Sequence, residues 1–261
     1  MEKEISNENN HCRGKKRSLV LPALIMGIAI IISCIGMMYL FTDYKKGVGN
    51  SISATGSAEL DLDSDLIVWR GHFNAFGETS KEAYDIIKVD AEKVKSYLVN
   101  SGIQDSEMVF NSVNINEKEE PIYDENGNWR GTKFIGYDLS QNVVITSKDI
   151  DRVEKVSRDI SKLLEEGVQF TSNSPEYYCT TLSDSKLELI KLATANAKER
   201  IDIMANEAKA SVGKLKNSKL GVFQIVAKNS GTSSYAYDGF LDTSSRAKTA
   251  SITVKLEYAI K

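Results

Sequence analysis

Ile252-Thr253-Val254-Lys255-Leu256-Glu257-Tyr258-Ala259-Ile260 alternates apolar and polar side chains without a break. Successive side chains on a strand point to opposite faces, so this stretch reads as a strand buried on one side only. A sheet with one covered face belongs with antiparallel strands and helices packed on that face. The residues upstream must supply both the partner strands and the covering helices.

Immediately upstream, residues 228–245 (KNSGTSSYAYDGFLDTSS) form a polar loop, long for a folded domain and therefore expected to be either mobile or an interaction surface. Leu215 to Val226 is strand-like. Before it, Ser185 and Glu188 have capping-box spacing, and Leu187, Ile190, Ala197, Ile201, Met204, Ala208 and Val212 predict a long helix reaching Gly213. Val168 to Thr181 reads as extended, and Ile150, Val153, Ile160 and Leu163 mark a helix stopped by Gly167. Phe134 to Thr146 and Met108 to Glu117 are strands joined by a polar excursion holding Asp124-Glu125-Asn126-Gly127-Asn128, where Asn126-Gly127 signals a turn. Thr79 and Glu82 cap a helix with the stripe Ala83, Ile87, Ala91, Val94 and Leu98, ending near Gly102. Strands Ser51 to Leu62 and Asp65 to Phe76 come first, with Leu62-Asp63-Ser64-Asp65 expected as a hairpin corner. In the second of them Ile67, Trp69, Phe73 and Ala75 share a face. The order is ββαββ followed by αβαββ: an α+β domain with mostly antiparallel strands.

Ahead of this domain, Ser18 to Phe41 runs for 24 residues without a charge. A helix of that length spans roughly 36 Å, against ~30 Å of bilayer hydrocarbon. Arg13, Lys15, Lys16 and Arg17 crowd its N-terminal flank, which places that flank in the cytoplasm. The expected organisation is a cytoplasmic tail (1–17), a transmembrane helix (18–41), a linker (42–50) and an extracytoplasmic domain (51–261), periplasmic or on the cell surface. A cleaved signal peptide has a shorter apolar run. Ile31-Ile32-Ser33-Cys34 offers the alternative of a lipoprotein acylated at Cys34, although the residues after Cys34 continue the apolar run.

The 261 residues carry 33 basic and 36 acidic side chains, a net −3. Five basic against three acidic residues over 1–41 leave +2 there, which puts −5 on the exported part. That balance gives no basic surface for nucleic acid. Cys12, Cys34 and Cys179 fall in three different compartments and do not pair with one another. His72 stands alone in its strand, so a histidine-based catalytic site or a transition-metal site lacks partners. Glu117, Glu119, Glu120, Asp124 and Glu125 lack calcium-loop spacing and read as a solvated hairpin tip. Ser183 and Lys186 match Ser-x-x-Lys, and Lys248-Thr249-Ala250 precedes a strand, but the third element of a penicillin-interacting enzyme is missing between them. Neither a catalytic triad signature nor a phosphate-cradling glycine loop occurs, so no enzyme, cofactor or metal is expected. Tyr177, Tyr178, Tyr235 and Tyr237 remain, and tyrosine suits interfaces. Tyr235, Tyr237 and Phe240 are the candidate interaction surface.

From about Ile52 to Ile260 the chain resembles the SIMPL domain family of YggE-like bacterial exported proteins. The resemblance rests on Ser53-Ala54-Thr55-Gly56-Ser57-Ala58-Glu59, on Asp65, on Gly102-Ile103, on Gly136-Tyr137-Asp138-Leu139-Ser140-Gln141-Asn142-Val143-Val144-Ile145, and on the alanine-spaced helix (Ala193, Ala197, Ala205, Ala208) leading to Gly213-Lys214-Leu215. Gly56, Asp65, Gly136, Tyr137 and Asn142 are its structural motif positions. Ser64 departs from the family's proline, and a Pro-Gly before the last strand is missing. The resemblance implies an extracytoplasmic, non-catalytic domain, linked in some relatives to stress tolerance and self-assembly, and it transfers no active site. The expected protein is a membrane-anchored binding or assembly module held in the membrane by residues 18–41 and able to form homo-oligomers. A domain binding a small molecule or envelope component is the alternative, with a hydrolase third.

Overall fold

The computed structural model describes residues 24–40, 50–231 and 236–260. Helix α1 occupies residues 24–40. Then come β1 (Ser51–Asp63), β2 (Leu66–Gly77), α2 (Ser80–Asn100), β3 (Met108–Phe110), β4 (Asn114–Tyr123) and β5 (Trp129–Ser147). Helix α3 (Ile150–Asp159) continues as a 3-10 turn over Ile160–Glu166 and is followed by β6 (Phe170–Ser172), β7 (Glu176–Tyr178) and α4 (Leu182–Glu207). Strands β8 (Val212–Leu220), β9 (Gln224–Ala227), β10 (Phe240–Leu241) and β11 (Ala247–Ile260) complete the described residues. The fold is α+β with mostly antiparallel sheets.

The strands exceed the expected number because several runs are split. Asn173-Ser174-Pro175 separates β6 from β7, and proline lacks the N–H a ladder needs. Gly221-Val222-Phe223 separates β8 from β9, and β10 lies inside the stretch read as loop. The β1–β2 corner is also not a hairpin. Strand β2 belongs to a six-stranded sheet ordered β3-β5-β2-β6, with β4 also on β5 and β7 also on β2; β1 belongs to a five-stranded sheet ordered β1-β11-β9-β10, with β8 on β11. Buried Ser64 carries the chain between sheets, its amide bonded to the Arg246 carbonyl at 3.0 Å and that of Asp65 to Tyr178 at 3.0 Å. An alternating pattern records which face is buried and is silent about which strand is the neighbour.

The described residues gather into two units. The larger comprises Ala54–Arg200 and Ser218–Leu256. There Ile67, Trp69, Phe73 and Ala75 of β2 are buried on one face with Leu139, Val143 and Ile145 of β5, beneath Ala83, Ile87, Val94 and Leu98 of α2 and Ile150, Val153 and Val156 of α3. Phe170 lies across Gly71, where a Cβ would come within 2.2 Å of its ring, and sits 5.9 Å from Trp69 and 6.3 Å from Phe73. Full burial of each such aromatic contributes roughly 1.5–3 kcal/mol. Thr79 caps α2 by accepting from the Glu82 amide at 3.2 Å, as its spacing predicts.

Helix α4 differs from expectation at its start and along its stripe. It begins at Leu182, so Ser185 lies inside it and donates to the Thr181 carbonyl at 3.2 Å instead of capping. Its buried positions are Leu189, Ala193, Ala197, Ile201 and Ala205, whereas Leu187 and Met204 are exposed. The reason is close approach: at Gly56 of β1 a Cβ would lie 2.2 Å from the Ala197 nitrogen, so the contact is made by small residues. A stripe traced through the largest side chains misses it.

Of the described residues, the smaller unit takes 24–40, 50–53, 201–217 and 257–260. Within it Ser51 donates to Glu257 at 2.7 Å and the Ile260 amide to the Asn50 carbonyl at 3.1 Å. Among the described residues no helix is long and apolar enough to cross a membrane. Residues 24–40 of the expected span are helical and apolar, with Cys34 among them; 18–23 and 41 lie outside the described residues.

Candidate interaction surfaces

Strand β2 pairs with β5 from Gly77↔Tyr137 to Ile67↔Ser147 and goes no further. Beyond Tyr137, β5 has only β4 beside it among the described residues, paired out to Tyr123↔Trp129. The two strands form an arm on which every residue of β4 is exposed. Register assigns its faces. Ile115, Glu117, Glu119, Pro121 and Tyr123 of β4 alternate onto one face, opposite Leu139, Tyr137, Phe134, Thr132 and Trp129 of β5.

Two irregularities make this possible. The register shifts between Lys118 and Glu119 and between Ile122 and Tyr123, leaving Ile135 and Arg130 as extra residues on β5. Each bulge turns the strand by one side-chain position, which brings Phe134 and then Trp129 onto the face of Tyr137. The Phe134 and Tyr137 rings meet edge-on at 5.3 Å. Trp129 is nonetheless 64% exposed and Tyr123 59%. At the arm's base a groove of about 400 Å³ lies among Tyr84, Val113, Ile115 and Leu139.

The tip is held by Asp124. Its carboxylate accepts from the amides of Asn126 (3.0 Å) and Asn128 (2.8 Å), from Asn128 Nδ2 (3.2 Å) and from Arg130 Nε (3.0 Å). Those donors, the Asn128 amide foremost, hold its pKa below the ordinary carboxylate value. Gly127 takes φ +81°, which the Asn-Gly turn requires. The acidic residues read as a solvated tip thus include the organiser of a rigid turn.

A second surface lies where Tyr235, Tyr237 and Phe240 were expected to act. Tyr235 lies outside the described residues. Tyr237 is 95% exposed, and Phe240 is exposed on β10. Buried Gln224 clamps Ala236, donating from Nε2 to its carbonyl at 2.6 Å and accepting from its amide at 3.2 Å. Beside the clamp is an open groove of about 590 Å³ between Tyr237, Asp238, Ser57, Glu59 and Thr253. Tyr177 and Tyr178 are elsewhere and partnered: their hydroxyls donate to Glu154 at 2.9 Å and Glu176 at 2.6 Å. Burial pushes the Tyr177 hydroxyl pKa up, with the Glu154 carboxylate adding to it.

The motif positions carry structural contacts. Gly136 has φ +150°, and a Cβ there would lie 2.4 Å from the Gly77 carbonyl, so it sits where the arm leaves the sheet. Asp65 accepts from the Thr180 amide at 2.6 Å and from the Thr180 hydroxyl, tying the β1–β2 corner to the approach of α4; these bonds, the hydroxyl first, hold its carboxyl low. Tyr137 is half-buried against the core, and Asn142 is exposed opposite half-buried His72. Cys179 donates to the Asp63 carbonyl at 3.6 Å. Lys248 is 1% exposed, donates to the Ser245 carbonyl and lies 3.8 Å from Asp242, whose other oxygen accepts from the Ser244 amide and hydroxyl. Burial pushes the Lys248 ammonium pKa down. Lys186 lies over the Phe223 ring at 5.3 Å.

Residues 52–258 match the SIMPL family, described as "Protein of unknown function (DUF541)". This chain belongs to the SIMPL family. The match covers both sheets and the three helices α2, α3 and α4, and in this SIMPL chain it includes the whole arm. No curated protein matches the chain.

Proposed function

We propose that this SIMPL protein is a membrane-anchored, extracytoplasmic binding and assembly module, without catalytic activity, serving envelope maintenance or stress tolerance. The observation that carries the reading is the arm: Trp129, Tyr123 and Phe134 are exposed on one face of a two-stranded ribbon, and none of the three belongs to the core cluster of its unit. Exposed aromatics in a line are costly to keep in water and are the side chains that dominate protein interfaces. The uncharged run 18–41 and its basic flank support the anchor and its orientation. Apolar residues continue past Cys34, which favours an anchor over acylation at that cysteine. The groove beside Tyr237 favours a second reading, binding of a small molecule or envelope component.

Crosslinking in intact cells, followed by identification of what residues 51–260 touch, tests the proposal. Recovery of the chain joined to further copies, from outside the cytoplasmic membrane, is expected. Crosslinks made only to cytoplasmic proteins would contradict it.

A further inference from the structure

The arm's exposed face is acidic as well as apolar. Glu117 and Glu119 alternate with the aromatics on it, and neither is in an ion pair among the described residues. Residues 114–135 hold five acidic and three basic side chains. Strand β8 has the opposite character. Between Ala208 and Val222 the chain has Lys209, Lys214, Lys216 and Lys219 and no acidic residue. Leu215, Leu220 and Val222 are 51%, 52% and 46% exposed, and β8 pairs only with β11 among the described residues.

We propose that the arm of one copy docks on β8 of a second copy, so that chains join head to tail. The proposal rests on the assembly reading above and names its contact. Charge complementarity selects the occupant: arm against arm would set Glu117 and Glu119 against their own kind, whereas β8 offers lysines beside apolar side chains. The spacing agrees. Glu117 and Tyr123 are six residues apart on one face of β4, and Lys214 and Leu220 are six apart on β8. A parallel alignment therefore sets Lys214 opposite Glu117 and Leu220 opposite Tyr123 at once. Pro121 on β4 and the lysines on β8 are devices that keep exposed edges from pairing with any passing strand. Recognition thus depends on matched side chains, which is how specificity is built. The arm and β8 are different patches, so each copy offers one of each and the contact propagates to a ring or a filament.

The test uses the full chain in detergent micelles, with molar mass followed by sedimentation at low salt. Two charge reversals are made, E117K/E119K in the arm and K214E/K216E on β8, where the same alignment sets Lys216 opposite Glu119. Each alone should weaken self-association at least tenfold, because like charges then face each other. Mixing the two should restore it, since the basic arm meets the acidic β8 and the acidic arm meets the native β8. Trp129→Ala should also weaken association while leaving the circular dichroism spectrum unchanged. A mixture no more associated than its components, or reversals that assemble like the unaltered chain, overturns the docking and leaves assembly standing. An unaltered chain that stays monomeric overturns both.

Discussion

From Tyr137 to Ser147, strand β5 runs beside β2 and buries Leu139, Val143 and Ile145; from Trp129 to Phe134 the same strand has β4 alone for company, and its aromatics stand in solvent. The backbone and the side-chain types are continuous across Gly136. What changes is the neighbour. Burial is thus a property of what a strand is given to lie against, and the aromatic face left bare on the arm is the one that the proposed docking would cover.

Truncating one aromatic in each region separates the two cases. Trp69→Ala removes a side chain with no exposure from the core and should cost about 3–5 kcal/mol in urea unfolding. Trp129→Ala on the arm should change the unfolding free energy by no more than about 0.5 kcal/mol. Equal losses at the two sites would mean that the arm is part of the core.

Lys248→Met is expected to be nearly as damaging as the core truncation, by about 3–5 kcal/mol, because it leaves the Asp242 carboxylate buried without its cation. Restoration of stability by the double change Lys248→Met with Asp242→Leu would show that the unpaired charge, and not lost packing, is responsible.

Asp65→Asn should cost on the order of 1 kcal/mol by weakening two charge-assisted bonds to Thr180. Its pH dependence has a definite sign. The folded carboxyl titrates below its unfolded value of about 3.9, so its contribution is present above that value and lost as pH falls through the folded one. The stability gap between the unaltered protein and the Asp65→Asn variant is therefore expected to be constant above about pH 5 and to close in acid, as thermal unfolding across that range would register. The smallest effect belongs to Asp124→Ala, which should leave the urea midpoint of the whole protein where it is and speed proteolytic nicking of residues 124–128.

The sheet-and-helix plan was legible where one physical signal acted alone. Alternation from Ile252 to Leu256, the shared face of Ile67, Trp69, Phe73 and Ala75, and the Thr79 cap are all where the pattern puts them, whereas Glu257 to Ile260 are half-buried on both faces. It failed where two signals met. The bulges at Ile135 and Arg130 shift the phase of β5 twice, so Trp129, Phe134 and Tyr137 share no simple period, and the charged run that starts at Glu117 ended the expected strand there, although β4 continues to Tyr123. The aromatics flanking Asn126-Gly127 were the available clue. In α4, the largest side chains drew the stripe away from the small ones that touch Gly56.

Head-to-tail assembly stands or falls on the molar mass of the unaltered full chain in micelles, followed across concentration and salt. A mass above that of one chain is predicted, rising with concentration and falling as salt screens the lysine–glutamate contact. A single-chain mass at every concentration and salt would contradict it.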